Sequence, residues 1–169
     1  NEANRIALQC LATINIDVAN TTLYRAHLVV VVSAKPDYDE ISKTYFENDE
    51  AFEFVKKMLT TFDPDISDIE LIEGNKEDGK KRYFPVFQHG SEDLDCITFY
   101  FQESSGTRKL FNCLYLYWIT LKTGGVLIQD EFDIHLHSFL LPKLIHIFED
   151  EEYNKKGAQF IFTAHNTEI

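Results

Sequence analysis

Two acids, Asp130 and Glu131, close the run Gly124-Gly125-Val126-Leu127-Ile128-Gln129-Asp130-Glu131. Adjacent carboxylates in such a place can divide labour, one holding Mg2+ and the other polarising a water. A second polar terminus, Thr163-Ala164-His165-Asn166, follows the apolar run Ala158-Gln159-Phe160-Ile161-Phe162. A third island, Glu103-Ser104-Ser105-Gly106-Thr107-Arg108, sets small hydroxyl residues and a glycine ahead of an apolar helical pattern. Free backbone N–H groups and the helix dipole at such a terminus favour an anion. Ser104 or Ser105 also fits a plain N-cap, which is the simpler local reading.

The elements that must hold these residues follow from the pattern around them. The apolar run ahead of Asp130 is short and glycine-bounded, as a buried strand of a parallel sheet is. Open α/β sheets place their ligands at the carboxyl ends of such strands. Ala158 to Phe162 reads as another short buried strand. Between the two, Ser138 to Asp150 reads as a helix with Pro142 in its first turn and Leu140, Leu141, Leu144, Ile145, Ile147 and Phe148 on a broad apolar face. Glu149 to Lys156 is a charged, solvent-facing linker. A right-handed crossover through that helix sets the two strand ends side by side and brings His165 near Asp130 and Glu131. Behind Arg108, Leu110, Leu114, Tyr117, Trp118 and Leu121 share one helical face.

Upstream, Asn1 to about Leu28 mixes helix-like spacing (Ile6, Leu8, Leu11) with β-branched residues. His27 to Ser33 reads as a strand ended by Lys35-Pro36-Asp37. Asp49 to Phe62 reads as a helix with Phe52, Val55, Met58, Leu59 and Phe62 on one face, Asp49 as its N-cap and Asp63-Pro64-Asp65 as its stop. Ile66 to Glu73, Arg82 to His89 and Asp95 to Gln102 alternate as the strands of an antiparallel meander, joined by glycine-bearing polar turns. That layer reads as packing without chemistry.

Composition narrows the classes. The 169 residues suffice for one domain with a real core, and 44% hydrophobic with 14% aromatic content argues for a folded globule. A formal net charge of −12 gives no indication of a nucleic-acid partner, because coating nucleic acid non-specifically takes the opposite sign. The longest strongly apolar run, Leu28-Val29-Val30-Val31-Val32, is strand-sized, well below the ~20 residues that span a bilayer. Cys10, Cys96 and Cys113, an odd number with no close pair, fit isolated reduced thiols and a cytoplasmic location.

Taken in order, the three islands resemble an ABC-type ATPase of the family shared by SMC-like and OLD-like proteins. The nearest likeness is to the prokaryotic AAA-type ATP-binding proteins of abortive infection and anti-phage defence. Glu103 to Phe111 resembles the signature motif, Val126 to Glu131 resembles Walker B with its catalytic glutamate, and Ala158 to Asn166 resembles the last core strand with the switch histidine. Leu136-His137 stands at the D-loop. The resemblance covers about Glu103 to Ile169 and implies an α/β, P-loop NTPase lobe with parallel core strands plus the antiparallel meander. The expected organisation is a single domain over 1–169, with the helix and antiparallel strands in 1–102 and the signature, Walker B and switch-histidine core in 103–169.

That resemblance implies ATP and Mg2+ as cofactors. Asp130 is expected to hold Mg2+ through water, Glu131 to orient or deprotonate the attacking water, and His165 to contact the γ-phosphate. Ser104, Ser105 and Gly106 are expected to serve the partner's ATP in trans across a homodimer interface, with Arg108 supporting the loop. An effector protein is the further partner implied. No G-x-x-x-x-G-K-[ST] occurs in the chain. Walker A is therefore expected in an N-terminal part of the same protein, this chain being the C-terminal lobe and binding ATP poorly alone. No Q-loop is evident, and Gln129 puts a polar residue where Walker B strands are apolar.

Two rival readings come from other classes. Asp130, Glu131, Asp133, His135 and His137 are all metal-ligand types, and His-x-His on an extended segment projects both rings to one side, so a Zn2+ or Mn2+ hydrolase is conceivable. Alternatively the lobe is a non-catalytic ATPase-like dimerisation module. The metal reading leaves Ser104 to Gly106 and His165 unexplained.

Overall fold

The computed structural model describes residues 29–32, 38–75, 79–90 and 96–165. In chain order these form β1 (Val29–Val32), α1 (Tyr38–Phe46), α2 (Asp49–Phe62), β2 (Ile66–Asn75), β3 (Lys81–His89), β4 (Cys96–Phe99), α3 (Ser105–Thr123), β5 (Val126–Gln129), α4 (Leu141–Glu149) and β6 (Gln159–Phe162). Single 3-10 turns, Tyr100–Gln102 and Ser138–Leu140, precede α3 and α4. The strands sort into two sheets. One has the order β1-β5-β6 and the other β2-β3-β4. The first is parallel, with Val30 opposite Leu127 and Leu127 opposite Phe160; the second is antiparallel, with Ile69 opposite Phe87 and Phe87 opposite Thr98.

The long helix α3 lies between these layers, and its sequence explains why it persists. Ser104 caps it, with a hydroxyl that accepts from the Thr107 amide at 3.0 Å. No proline interrupts it, and Gly124 ends it in the left-handed region at φ 71°. A Cβ at Gly124 would stand 2.7 Å from the Lys156 carbonyl oxygen, so only glycine fits both the backbone and the space. Leu110, Phe111, Leu114, Tyr117 and Leu121 are buried in one cluster with Val55 and Leu59 of α2, Ile66, Ile69 and Phe87 of the meander, and Leu127 of β5. Each such side chain contributes about 1.5–3 kcal/mol through burial. The parallel sheet thus rests on the same core as the antiparallel one.

Tyr45 and Gln129, polar groups buried in this core, find partners. The Tyr45 hydroxyl donates to the Phe111 carbonyl at 2.6 Å and accepts from the Tyr115 amide at 3.1 Å, tying α1 to α3. Gln129, the polar residue in β5, is 5% exposed, and its Oε1 accepts from the Tyr117 hydroxyl at 3.1 Å. Burial pushes the pKa of Tyr117 well above its usual value, which keeps that hydroxyl a neutral donor.

Several elements differ from the sequence expectation. The helix cap at α2 is Asn48, whose side chain accepts from the Ala51 amide at 3.1 Å, so Asp49 is the first helical residue. Helix α1 was not anticipated: its mean pattern is nearly neutral, and it is fixed by burying Ile41 and Tyr45. The third meander strand stops at Phe99, where the Phe99 amide donates to Gln102 Oε1 at 2.8 Å and the chain winds into a 3-10 turn. The expected helix from Ser138 begins as a 3-10 turn and becomes α-helical at Leu141, with Pro142 in the first α-helical turn as foreseen. The linker before β6 is stapled by Asn154, which donates to the Phe148 and Ala158 carbonyls at 2.7 and 2.9 Å and accepts from the Ala158 amide at 2.6 Å. The readings for Asn1 to Leu28 and for Lys35-Pro36-Asp37 lie outside the described residues. No helix among the described residues is long and apolar enough to cross a membrane.

Candidate functional site

Strands β5 and β6 are parallel neighbours, so Asp130 and Thr163 leave the sheet side by side. Thr163 joins the two ends. Its hydroxyl donates to Asp130 Oδ1 and accepts from the Glu131 amide at 2.8 Å. Its backbone accepts from the Phe132 amide at 3.1 Å and donates to the Gln129 carbonyl at 3.1 Å. The chain then turns back through residues 130–136, and Glu131 and His135 adopt positive φ, 49° and 67°. Non-glycine residues held there cost on the order of 1–3 kcal/mol each and persist only where surrounding bonds fix them.

His165 comes to this corner from β6. Its Nε2 is 3.8 Å from Glu131 Oε1, and its Nδ1 is 3.9 Å from Asp133 Oδ1. Asp133 also accepts from the His165 amide at 2.9 Å, which orients the backbone that carries the ring. The Glu131 and His165 side chains are 51% and 70% exposed, against 11% for Asp133. Two side chains open to a ligand therefore stand on a third that is packed.

From the other side, the N-terminus of α3 abuts the same turn. A Cβ on Gly106 would lie 3.2 Å from the His135 carbonyl oxygen. Lys109 donates to the Phe132 carbonyl at 2.7 Å and also to the Ile134 carbonyl. The Ser104 hydroxyl, besides capping α3, shares a hydrogen bond with Thr107 Oγ1 at 2.9 Å, and Thr107 Oγ1 donates to Asp63 Oδ2 at 3.4 Å. Ser105 is exposed in the first turn, and the Arg108 amide closes that turn on the Ser104 carbonyl at 3.0 Å.

Asp130, Glu131 and His165 are thus gathered at one corner, and the Ser104–Arg108 segment approaches it through Gly106 and Lys109. The sequence reading assigns no role to Thr163 or Lys109, which stand in the quoted runs as ordinary residues, and it offers Asp133 only as a candidate metal ligand. The metal-hydrolase geometry does not form. Residues 130–136 turn instead of extending, His137 Nδ1 accepts from the Phe139 amide at 3.3 Å, and Asp133 is engaged by His165. No group of three or more His, Cys, Asp or Glu among the described residues is placed to hold a metal ion. Asp130 is exposed at the end of β5 and presents hard carboxylate oxygens with the Thr163 hydroxyl beside them.

Residues 17–169 match the family model described as "AAA domain, putative AbiEii toxin, Type IV TA system". The chain belongs to this family. It is an AAA-type ATPase domain, and ATPases of this type use ATP and Mg2+. Among solved structures, the crystal structure of the SmcHead bound to the C-winged helix domain of ScpA is similar, with TM-score 0.49 and 18% identity over 76% of this chain. The chain spans 40% of that chain's length. No curated protein matches.

Proposed function

We propose that this AAA domain is the C-terminal lobe, 1–169, of a cytoplasmic ATP-hydrolysing head whose nucleotide cycle drives homodimerisation or switching of an effector in anti-phage defence. The observation that supports it most is the convergence of Asp130 and Glu131 with Thr163 and His165 at adjacent strand ends, against the N-terminus of α3. In this reading Asp130 is the Walker B acid, held in orientation by the Thr163 hydroxyl. Bound Mg2+ would neutralise charge on the transferring phosphoryl group. Glu131, carried on a strained and exposed turn, positions and deprotonates the attacking water. His165 faces the same space, with its backbone fixed by Asp133, and senses the terminal phosphate. Ser105 and Gly106 present the α3 N-terminus to the ATP of a second copy, with Ser104 closing the cap behind them and Arg108 supporting the loop. Walker A comes from an N-terminal part of the same protein. Catalysis is then positioning and electrostatics.

The test is phosphate release by the full-length protein. Glu131→Gln is expected to lower kcat by at least about a hundredfold, the range of a lost general base, while ATP still binds. Hydrolysis at the wild-type rate in that variant would remove Glu131 from the chemistry and return the non-catalytic module to favour.

A further inference from the structure

We infer that Lys109 is a positioning residue that locks the catalytic turn to the helix serving the opposite nucleotide. This inference rests on the ATPase reading above and assigns a regulatory contact within it. Lys109 lies in the second turn of α3, on the helix whose first turn carries Ser105 and Gly106. Its ammonium group reaches two carbonyls of the 130–136 turn, Phe132 and Ile134, which flank Asp133. Those carbonyls belong to the stretch bracketed by the two positive-φ residues, Glu131 and His135. An ammonium group donating to both makes the strained path the satisfied one, since each bond to a charged donor is stronger than a neutral one.

Other restraints tie the turn to β6. Thr163 holds the Glu131 and Phe132 amides, and the fully buried Phe132 ring packs on Phe160 and Phe162 at centroid distances of 5.5 and 4.5 Å. They fix where the turn begins. Beyond Phe132, Lys109 bonds the turn to α3, and Gly106, whose missing side chain lets the His135 carbonyl approach, abuts it. Movement of α3 on engaging a second nucleotide therefore carries the Phe132 and Ile134 carbonyls with it and resets Glu131. One amine thus links occupancy of the site in trans to the geometry of the base in cis.

The experiment compares Lys109→Met and Lys109→Arg in the full-length protein by steady-state ATPase kinetics and by amide hydrogen exchange. Lys109→Met is expected to lower kcat between about ten- and a hundredfold, as small misplacements do, with KM within about threefold of wild type. The Ile134, Leu136 and His165 amides exchange faster while β3 amides do not change. Lys109→Arg, which keeps two N–H donors on a cation, restores most of kcat and the protection. Wild-type kcat in Lys109→Met, or lost kcat with unchanged exchange, overturns the positioning role. Uniformly faster exchange with a lowered melting temperature overturns it too, as a purely structural role. If the wild-type protein hydrolyses no ATP, the ATPase reading fails separately. The exchange comparison then decides alone, with selective acceleration of the turn supporting the clamp and unaltered exchange refuting it.

Discussion

Strands β5 and β6 of the parallel sheet are four residues long and run into polar residues that meet at one corner, whereas β2 and β3 of the meander run to ten and nine residues. Both sheets draw on one buried cluster through α3 and its neighbours. On the parallel side that support ends in exposed, unevenly held groups, with Glu131 and His135 at positive φ. On the antiparallel side it ends in aromatic packing, such as Phe87 against Phe111 at 5.9 Å and Phe46 stacked on Tyr83 at 4.2 Å. The difference teaches that short parallel strands deliver side chains to a point, while long antiparallel ones supply the mass that holds the point still.

Mutation should separate these two jobs. Phe111→Ala removes a fully buried ring at the junction of α1, α3 and β3, and is expected to cost about 3–5 kcal/mol in chemical denaturation. A cost below about 1 kcal/mol would mean that the two sheets do not depend on one core. Next, Gly124→Ala forces a Cβ into the Lys156 carbonyl at a left-handed position, and should cost more than about 1 kcal/mol while leaving the Glu131 corner chemically intact. A smaller effect would show that the β6 linker gives way freely.

A further expectation concerns pH dependence. Burial pushes the Cys113 thiol up to about 12 from 9.0. The folded chain then holds that proton where the unfolded chain releases it, so the contribution is fully present below about pH 9 and fades as pH rises toward 12. Labelling should accordingly modify exposed Cys96 at mild alkaline pH and spare Cys113 until the protein unfolds. Equal labelling of both would show that the α3 core opens readily.

How much of this was legible beforehand depended on whether the signal was local. Strands β5 and β6 announced themselves through glycine-bounded apolar runs, and their adjacency followed from the crossover rule, which placed His165 beside Glu131. Helix α2 was readable because its apolar face repeats at three and four residues. Helix α1 was not, because Tyr45 gains its value from Phe111 and Tyr115, 66 and 70 residues away. Thr163 and Lys109 stayed hidden, and Asp133 was legible only as a metal-ligand type, for the same reason: each bonds backbone atoms 23 to 32 residues distant, and no spacing rule reports such a contact. His135 and His137 misled because alternation suggested an extended segment where the chain turns.

One measurement tests the coupling most directly: sedimentation velocity of full-length protein carrying Glu131→Gln, with and without ATP and Mg2+. A nucleotide-dependent dimer that persists in the variant and dissipates in the hydrolysing wild type is the predicted result. A variant that sediments identically with and without ATP would contradict the claim that this corner couples nucleotide chemistry to assembly.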